Sequence, residues 1–192
     1  MILEALKART ATSHRNVEAS PLMQPIANRT LTPENYTQIL RKFYGFFQPL
    51  ENAIHHVAGL EYYLPDLATR RKAASILQDL RAIHQENIVL ATLPLCPDVP
   101  IISDFNGALG ALYVMEGSTL GGKFISKIVY ETLGFTPENG IAFFNGYGTQ
   151  TGPKWKAFQE ALRRYTSTST QEEAIVNSAT CTFQKLEVWF NN

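Results

Sequence analysis

Three residues near the N-terminus have types and spacings suited to holding a flat ligand with a metal at its centre. Residues 2–19 are predicted to form a helix, and His14 lies on its apolar face. The rest of that face consists of Leu3, Leu6, Thr10 and Val17. Glu18, one helical turn after His14, can orient the imidazole and leave its other nitrogen for a metal. Lys7, ~10 Å away along the helix, can meet a carboxylate at the ligand's edge.

This arrangement fits a porphyrin, but spacing alone does not require one, because a lone histidine on an apolar face is more often a hydrogen-bonded core residue. The other histidines are weaker candidates. His55 and His56 are adjacent, so a helix points them about 100° apart. His84 lies in the polar stretch "RAIHQENI" and is interpreted as a surface or hydrogen-bonded residue. No histidine has Glu three residues before it, which disfavours a diiron site.

The stretch "LYVMEGSTLGGKF" offers a second chemical pattern. Gly117 to Lys123 spell the first seven positions of a phosphate-binding loop, but Phe124 stands where that loop needs Ser or Thr for magnesium. A helix is the better prediction, although its three glycines oppose helix formation by ~3 kcal/mol. Gly117 and Gly121 would stack on one face, so either another helix or a flat ligand can approach the backbone there.

The elements that must position these residues are predicted to be helices throughout. Thr32 with Pro33 predicts the start of one helix, and Gly59 its end; Asp66 predicts the start of a helix that reaches Leu90. Ser103 or Asp104 caps a helix that runs to Leu133 and is ended by Gly134. A further helix starts at Pro153, and a capping box of Thr170 with Glu173 starts the last one. No run of alternating β-branched residues indicates a strand. We therefore expect an all-α bundle of about six helices in a single domain, residues 1–192.

Composition limits the partners. Lys and Arg total 17 and Asp and Glu total 17, so no extended basic surface is required and nucleic acid is disfavoured. The two cysteines lack the spacing of a zinc site. The sequence shows neither a secretory signal nor an apolar run of membrane-spanning length, so we expect a cytoplasmic protein without a membrane partner.

The motifs resemble those of a known family. "LKARTATSHRNVE" (Leu6–Glu18) resembles the proximal helix of heme oxygenases, and "LYVMEGSTLGGKFI" resembles their distal helix. "GIAFFNGYG" and "GPKWKAF" are similar to the family's segments after the distal helix, so the resemblance covers most of the chain in order. The "EGSTLGG" form is similar to the bacterial branch that accompanies bacteriophytochromes.

The resemblance implies a fold in which heme lies between a proximal helix and a glycine-kinked distal helix. It implies that His14 is the iron ligand, oriented by Glu18, and that Lys7 and Lys156 contact the heme propionates. A propionate-binding arginine of the mammalian-type enzymes falls on Glu160, and Arg163 one turn later is the candidate replacement. Phe183 and Trp189 of the last helix are candidates for the pocket wall or the core.

On the distal side the resemblance implies that Gly117, Gly121 and Gly122 lie over the porphyrin. One position departs from the mammalian-type pattern: Ser118 stands where an aspartate organises water beside bound oxygen. We therefore expect Gly117, Ser118 and Gly121 to form the catalytic surface, with a water network built differently, through Thr119 or backbone carbonyls.

The implied activity is oxidative opening of heme, which is both cofactor and substrate, to biliverdin, CO and Fe2+ with O2. Because the chain has no flavin or iron–sulfur motif, electrons would come from an external reductase or ferredoxin, and a bacteriophytochrome would receive the biliverdin. Three alternatives stay open from the residues: a heme-binding carrier that does not degrade heme, another small-molecule enzyme on the same bundle, and a structural helical domain.

Overall fold

The computed structural model describes residues 1–83 and 92–192, and both ranges are helical with no β-strand. The α-helices are α1 (Ile2–Glu18), α2 (Gln24–Ala27), α3 (Pro33–His55), α4 (Ala73–Ile83), α5 (Phe105–Leu133), α6 (Ala142–Asn145), α7 (Thr151–Tyr165) and α8 (Ser169–Asn191). Short 3-10 turns occupy Leu60–Tyr62, Leu67–Thr69 and Gly148–Gln150. The all-α prediction is confirmed.

Local capping signals set the ends of the two longest early helices. The Thr32 side chain accepts a hydrogen bond from the backbone N–H of Asn35, and the Asn35 side chain accepts one from the backbone N–H of Thr32, so α3 begins where predicted. It ends at His55, three residues before the predicted end at residue 58. Asp104, rather than Ser103, caps α5 by accepting from Gly107 N at 2.8 Å, and Gly134 ends it at φ 72°.

The predicted capping box of the last helix is wrong by two residues. Thr168 is the N-cap of α8, and Gln171 completes the box. Glu173, the expected partner of Thr170, instead pairs with Arg9 of α1 at 2.6 Å. The start of α8 is therefore set by the Thr168 and Gln171 capping box, and Thr170 lies inside the helix. At the other boundary, α7 begins at Thr151 rather than Pro153.

Asp66 was expected to cap the third long helix and does not. It precedes a 3-10 turn without a side-chain capping bond, and α4 starts only at Ala73. The carboxylate at the start of α4 is that of Glu51 in α3, which accepts from the backbone N–H of Lys72 and, at 3.1 Å, of Ala73. The predicted end at Leu90 and the interpretation of His84 both lie outside the described residues.

Helix α8 holds the two helices that carry the site, because it packs against both α1 and α5. The contact with α5 is close: a Cβ built on Gly110 would lie 2.4 Å from the backbone oxygen of Ile175. Only glycine allows that approach. On the other side, α3 packs on α4 and buries Tyr36, Phe46 and Phe47 completely. No helix in the described ranges is long and apolar enough to cross a membrane.

Candidate active site

A cavity of about 460 Å³ lies between α1 and α5. Its volume falls in the range of roughly 300–1,000 Å³ typical of small-molecule and cofactor sites. Helix α1 lines it with Lys7, His14 and Glu18, and α5 lines it with the segment from Gly117 to Gly121. The two sequence motifs, about 100 residues apart in the chain, therefore meet at one site.

His14 is half exposed and lies on the cavity surface. Its Nδ1 atom faces Glu18, with 3.6 Å to Oε2, so Nε2 is the nitrogen left for a metal. That distance exceeds a direct hydrogen bond and is closed by a small rotation or by one bridging water. The edge of the imidazole meets Phe183 at 5.4 Å between ring centroids and 84° between planes, which fixes the ring's tilt. Phe183 also lines the cavity.

The three glycines of the α5 motif have different roles. A Cβ on Gly121 would have no heavy atom within 4 Å, and one on Gly117 would approach only Trp155, at 4.0 Å. Both therefore present bare backbone to the cavity. Gly122 does not line the cavity: a Cβ there would lie 2.2 Å from the carbonyl oxygen of Phe144. The ligand-contact and helix-packing interpretations of the glycines are both represented, at different positions.

The hydroxyl groups beside these glycines are committed to the helix backbone. Ser118 Oγ donates to the carbonyl of Met115 at 2.7 Å, and Thr119 Oγ1 donates to that of Glu116 at 2.6 Å. Both residues line the cavity. Because each hydroxyl has a single proton, these oxygens can only accept hydrogen bonds from the cavity side while the bonds persist.

Cations reach the cavity from α1. Lys7 lines it as expected, and so does Arg15, which the sequence argument missed although it adjoins His14. The two are eight residues apart, ~12 Å along the axis, so they flank the histidine. Lys156 and Arg163 are exposed on α7 and are not among the lining residues, so the structure does not bring them to the cavity.

The remaining wall is apolar, and its aromatic part was not assigned from sequence. Its aromatic members are Phe43, Phe47, Phe143, Phe144, Tyr113 and Trp155. Asp79 of α4 fixes the part of this wall that belongs to α6, because its carboxylate accepts from Ala142 N at 2.7 Å and Phe143 N at 2.8 Å. Burial raises the pKa of Asp79 to about 6. Trp189 lies elsewhere and donates from Nε1 to the Lys42 carbonyl at 2.8 Å.

A buried group of charges lies next to the glycine segment and was also missed. We call Glu116, Arg70, Lys72 and Tyr147 the Glu116 cluster. Glu116 accepts from Arg70 Nη1 and Lys72 Nζ, each at 2.6 Å, and from the Tyr147 hydroxyl at 2.7 Å. Burial lowers the pKa of Lys72, which the Glu116 carboxylate partly offsets. Burial, followed by the Glu116 charge, raises the pKa of Tyr147, so the phenol stays protonated and donates.

The donor set fits a metal that brings most of its own ligands. His14 offers one nitrogen, the glycines offer a flat backbone surface, and the walls are aromatic. The fold and site together define a helical protein that binds a flat, largely apolar ligand between a histidine-bearing helix and a glycine-bearing helix.

Comparison with known proteins agrees with this class. The family model described as heme oxygenase matches residues 1–192. The chain therefore belongs to the heme oxygenase family.

Individual relatives are distant in sequence and close in fold. A heme oxygenase of Xanthomonas campestris pv. campestris (strain 8004) is 26% identical over 165 residues, which cover 82% of this chain and 90% of that protein. The NO- and CO-bound heme oxygenase of Neisseria meningitidis is also 26% identical, with a TM-score of 0.80 over 99% of this chain and 90% of that one. The heme oxygenase of Leptospira interrogans shares the fold at 15% identity, with a TM-score of 0.81 over 99% and 98% of the two chains.

Proposed function

We propose that the cavity between α1 and α5 binds heme with His14 Nε2 on the iron, and that this site carries out the family's reaction. Membership of the heme oxygenase family makes the chain a heme-degrading oxidoreductase. The observation that supports this site most strongly is the junction of two unrelated features, a histidine with a free Nε2 and two glycines with no side chain, on one aromatic cavity.

His14 and Glu18 act together on the proximal side. The Glu18 carboxylate holds the Nδ1 proton, directly or through water, which fixes the tautomer with Nε2 unprotonated. Phe183 limits the ring's rotation. An imidazole fixed in this way would hold the heme iron through Nε2, and no second protein ligand would be needed.

The glycine backbone of α5 covers that opposite side. Gly117 and Gly121 allow the helix to lie against the porphyrin face, which excludes bulk water and leaves room for a small diatomic ligand. Heme supplies the iron at which O2 is activated and is itself the molecule oxidised, to biliverdin, CO and Fe2+. The electrons come from an external reductase or ferredoxin.

Ser118 and Thr119 position water beside this face. Each hydroxyl donates to the helix and can accept from the cavity side, so each orients a water molecule by accepting a hydrogen bond from it. This ordered water then delivers the proton that the reaction requires. In the mammalian-type pattern an aspartate organises that water instead. Ser118 cannot contribute charge, so the delivery depends on water order.

Lys7 and Arg15 anchor the propionates at the mouth of the cavity. Among the described residues that line the cavity, these two are the lysine and the arginine. Lys156 and Arg163 stay predictions of propionate contact. Gly122 supports the distal helix by packing on α6 rather than touching heme. The proposed location of the protein is the cytoplasm. The proposed partner that receives the biliverdin is a bacteriophytochrome.

Hemin titration followed by reduction tests this proposal. Purified protein is titrated with hemin while the Soret band is recorded, and then receives a reductant under air. Binding of one hemin with growth of biliverdin absorption supports heme opening at this site. Binding without biliverdin formation would favour the alternative of a heme carrier. That alternative is consistent with the Ser118 hydroxyl, which donates its proton to the Met115 carbonyl rather than to the cavity. Absence of binding would overturn the proposal.

A further inference from the structure

The Glu116 cluster lies against the cavity wall and is almost completely shielded from solvent. Relative exposure is 1% for Glu116, 1% for Arg70 and 3% for Lys72. Both carboxylate oxygens of Glu116 are bound, Oε2 by Arg70 and Oε1 by Lys72 and Tyr147. None of the four cluster residues is among the residues that line the cavity.

The cluster continues to the first turn of α7. Arg70 Nε donates to Asp66 Oδ1 at 2.7 Å, and Arg70 Nη2 donates to the carbonyl of Lys154 at 3.1 Å. Lys154 Nζ in turn donates to Asp66 Oδ2 at 2.7 Å and to Thr69 Oγ1 at 2.9 Å. One guanidinium therefore ties the distal helix to the backbone of α7.

Each tied position is followed in the chain by a cavity residue. Glu116 precedes Gly117, and Lys154 precedes Trp155. Gly117 and Trp155 both line the cavity, and a Cβ on Gly117 would lie 4.0 Å from the indole. The charged contacts thus hold together the two chain segments whose next residues face each other across the cavity wall.

The charges balance, which makes this arrangement stiff. The cluster and its neighbours carry three carboxylates and three cations. The carboxylates are Glu116, Asp66 and Glu51, and the cations are Arg70, Lys72 and Lys154. At the buried centre of the cluster, Arg70 or Lys72 cannot shift without leaving the Glu116 charge incompletely paired. Its geometry is therefore transmitted to the adjoining backbone.

We propose that the Glu116 cluster is a positioning device for heme: it sets the spacing between the Gly117 backbone and the Trp155 indole. That spacing sets how closely the distal helix covers the porphyrin. The inference rests on the proposed function, since it takes heme as the ligand of this cavity. Glu116, Arg70, Lys72 and Tyr147 act through Gly117 and Trp155 and do not touch heme themselves.

Tyr147→Phe tests the proposal with little disturbance. It removes the hydroxyl that donates to Glu116 and keeps the ring, which lies 4.3 Å from Lys72 Nζ and 4.8 Å from Lys154 Nζ. Tyr165→Phe is the matched control, because its hydroxyl donates to Asn106 at 3.2 Å and it does not line the cavity. Lys154→Met, which loses the ammonium but keeps the aliphatic stem, is the second variant should Tyr147→Phe fold poorly.

Two readouts separate positioning from general stability. The first is made on heme-free protein in a Trp189→Phe background, where Trp155 is the only tryptophan: acrylamide should quench its fluorescence more in Tyr147→Phe than in Tyr165→Phe. The second is made on the heme complex. Hemin should dissociate about tenfold faster from Tyr147→Phe, the effect of losing one hydrogen bond to a charged group, and the C–O stretching band of the ferrous CO complex should shift.

Equal quenching, equal hemin dissociation and an unmoved CO band in Tyr147→Phe and Tyr165→Phe would overturn the positioning role. If the parent protein binds no hemin, the proposed function fails instead, and the quenching comparison still decides whether the cluster positions Trp155.

Discussion

Gly121 and Gly122 are neighbours in α5 with opposite surroundings. A Cβ on Gly121 would have open space around it, whereas a Cβ on Gly122 would lie 2.2 Å from the carbonyl oxygen of Phe144. The first glycine leaves room for a ligand and the second leaves room for α6. Two adjacent residues of one type therefore differ in their surroundings, and the binding role proposed for Gly121 does not extend to Gly122.

Alanine at the two positions should give opposite changes in stability. Gly121→Ala should raise the free energy of unfolding of the heme-free protein by about 1 kcal/mol, the helix-propensity difference, and should weaken hemin binding. Gly122→Ala should lower it by about 1–3 kcal/mol, because the Phe144 backbone must shift. Urea unfolding and hemin titration measure these effects. A destabilising Gly121→Ala that binds hemin normally would contradict the assignment.

Ser118→Ala should separate heme binding from heme opening. Removal of the hydroxyl should leave hemin affinity close to that of the parent and slow biliverdin formation about tenfold or more, because the oriented water is lost. Ser126→Ala is the control on the same helix, since the Ser126 hydroxyl is buried without a hydrogen-bond partner in the described structure. Equal turnover of the two variants would exclude Ser118 from proton delivery.

The contribution of Lys7 and Arg15 to hemin affinity should depend on the salt concentration. Lys7→Ala and Arg15→Ala should weaken hemin binding, more at low than at high ionic strength, because exposed charges are screened by salt. Lys127→Ala removes an exposed α5 lysine that pairs with Glu131 and should have no such effect. Heme dimethyl ester, which lacks both carboxylates, should bind all four proteins alike; a persistent difference would point to a packing effect of the α1 residues.

Asp79 should make stability depend on pH. Burial raises its pKa from 3.8 to about 6, so the folded protein holds this proton more tightly than the unfolded chain. The resulting stabilisation is complete below pH 3.8 and is lost as the pH rises to about 6, a change of about 3 kcal/mol. Asp79→Asn removes this titrating group. The free energy of unfolding of the wild type minus that of the variant should therefore fall by about 3 kcal/mol from pH 4 to pH 7. Urea unfolding of both proteins at each pH measures it, and an advantage that stays constant or grows would contradict the assignment.

Local signals in the sequence were sufficient for the starts of α3 and α5. Thr32 and Asp104 cap α3 and α5 because their side chains bind backbone groups three residues away, a contact that needs no tertiary structure. The overlapping caps at Thr168 and Thr170 could not be separated locally. In the structure Thr168 and Gln171 form the box, while Glu173 pairs with Arg9 of another helix.

The Glu116 cluster could not be found from spacing at all. Arg70 and Glu116 are 46 residues apart, and no helical or strand period relates them. The available signal was a lone glutamate inside the apolar run "ALYVMEG", which implies a buried partner without identifying it. For the same reason Arg15 was missed: it lines a cavity whose other walls come from distant parts of the chain.

The most direct test of the account is the axial ligand. Wild-type protein and His14→Ala are titrated with hemin, and their Soret spectra are compared before and after addition of free imidazole. We expect wild type to bind one hemin, the variant to show an altered spectrum with little biliverdin formation, and imidazole to restore the wild-type spectrum by filling the space that the side chain left. A His14→Ala variant with the wild-type spectrum and undiminished biliverdin formation would contradict the account.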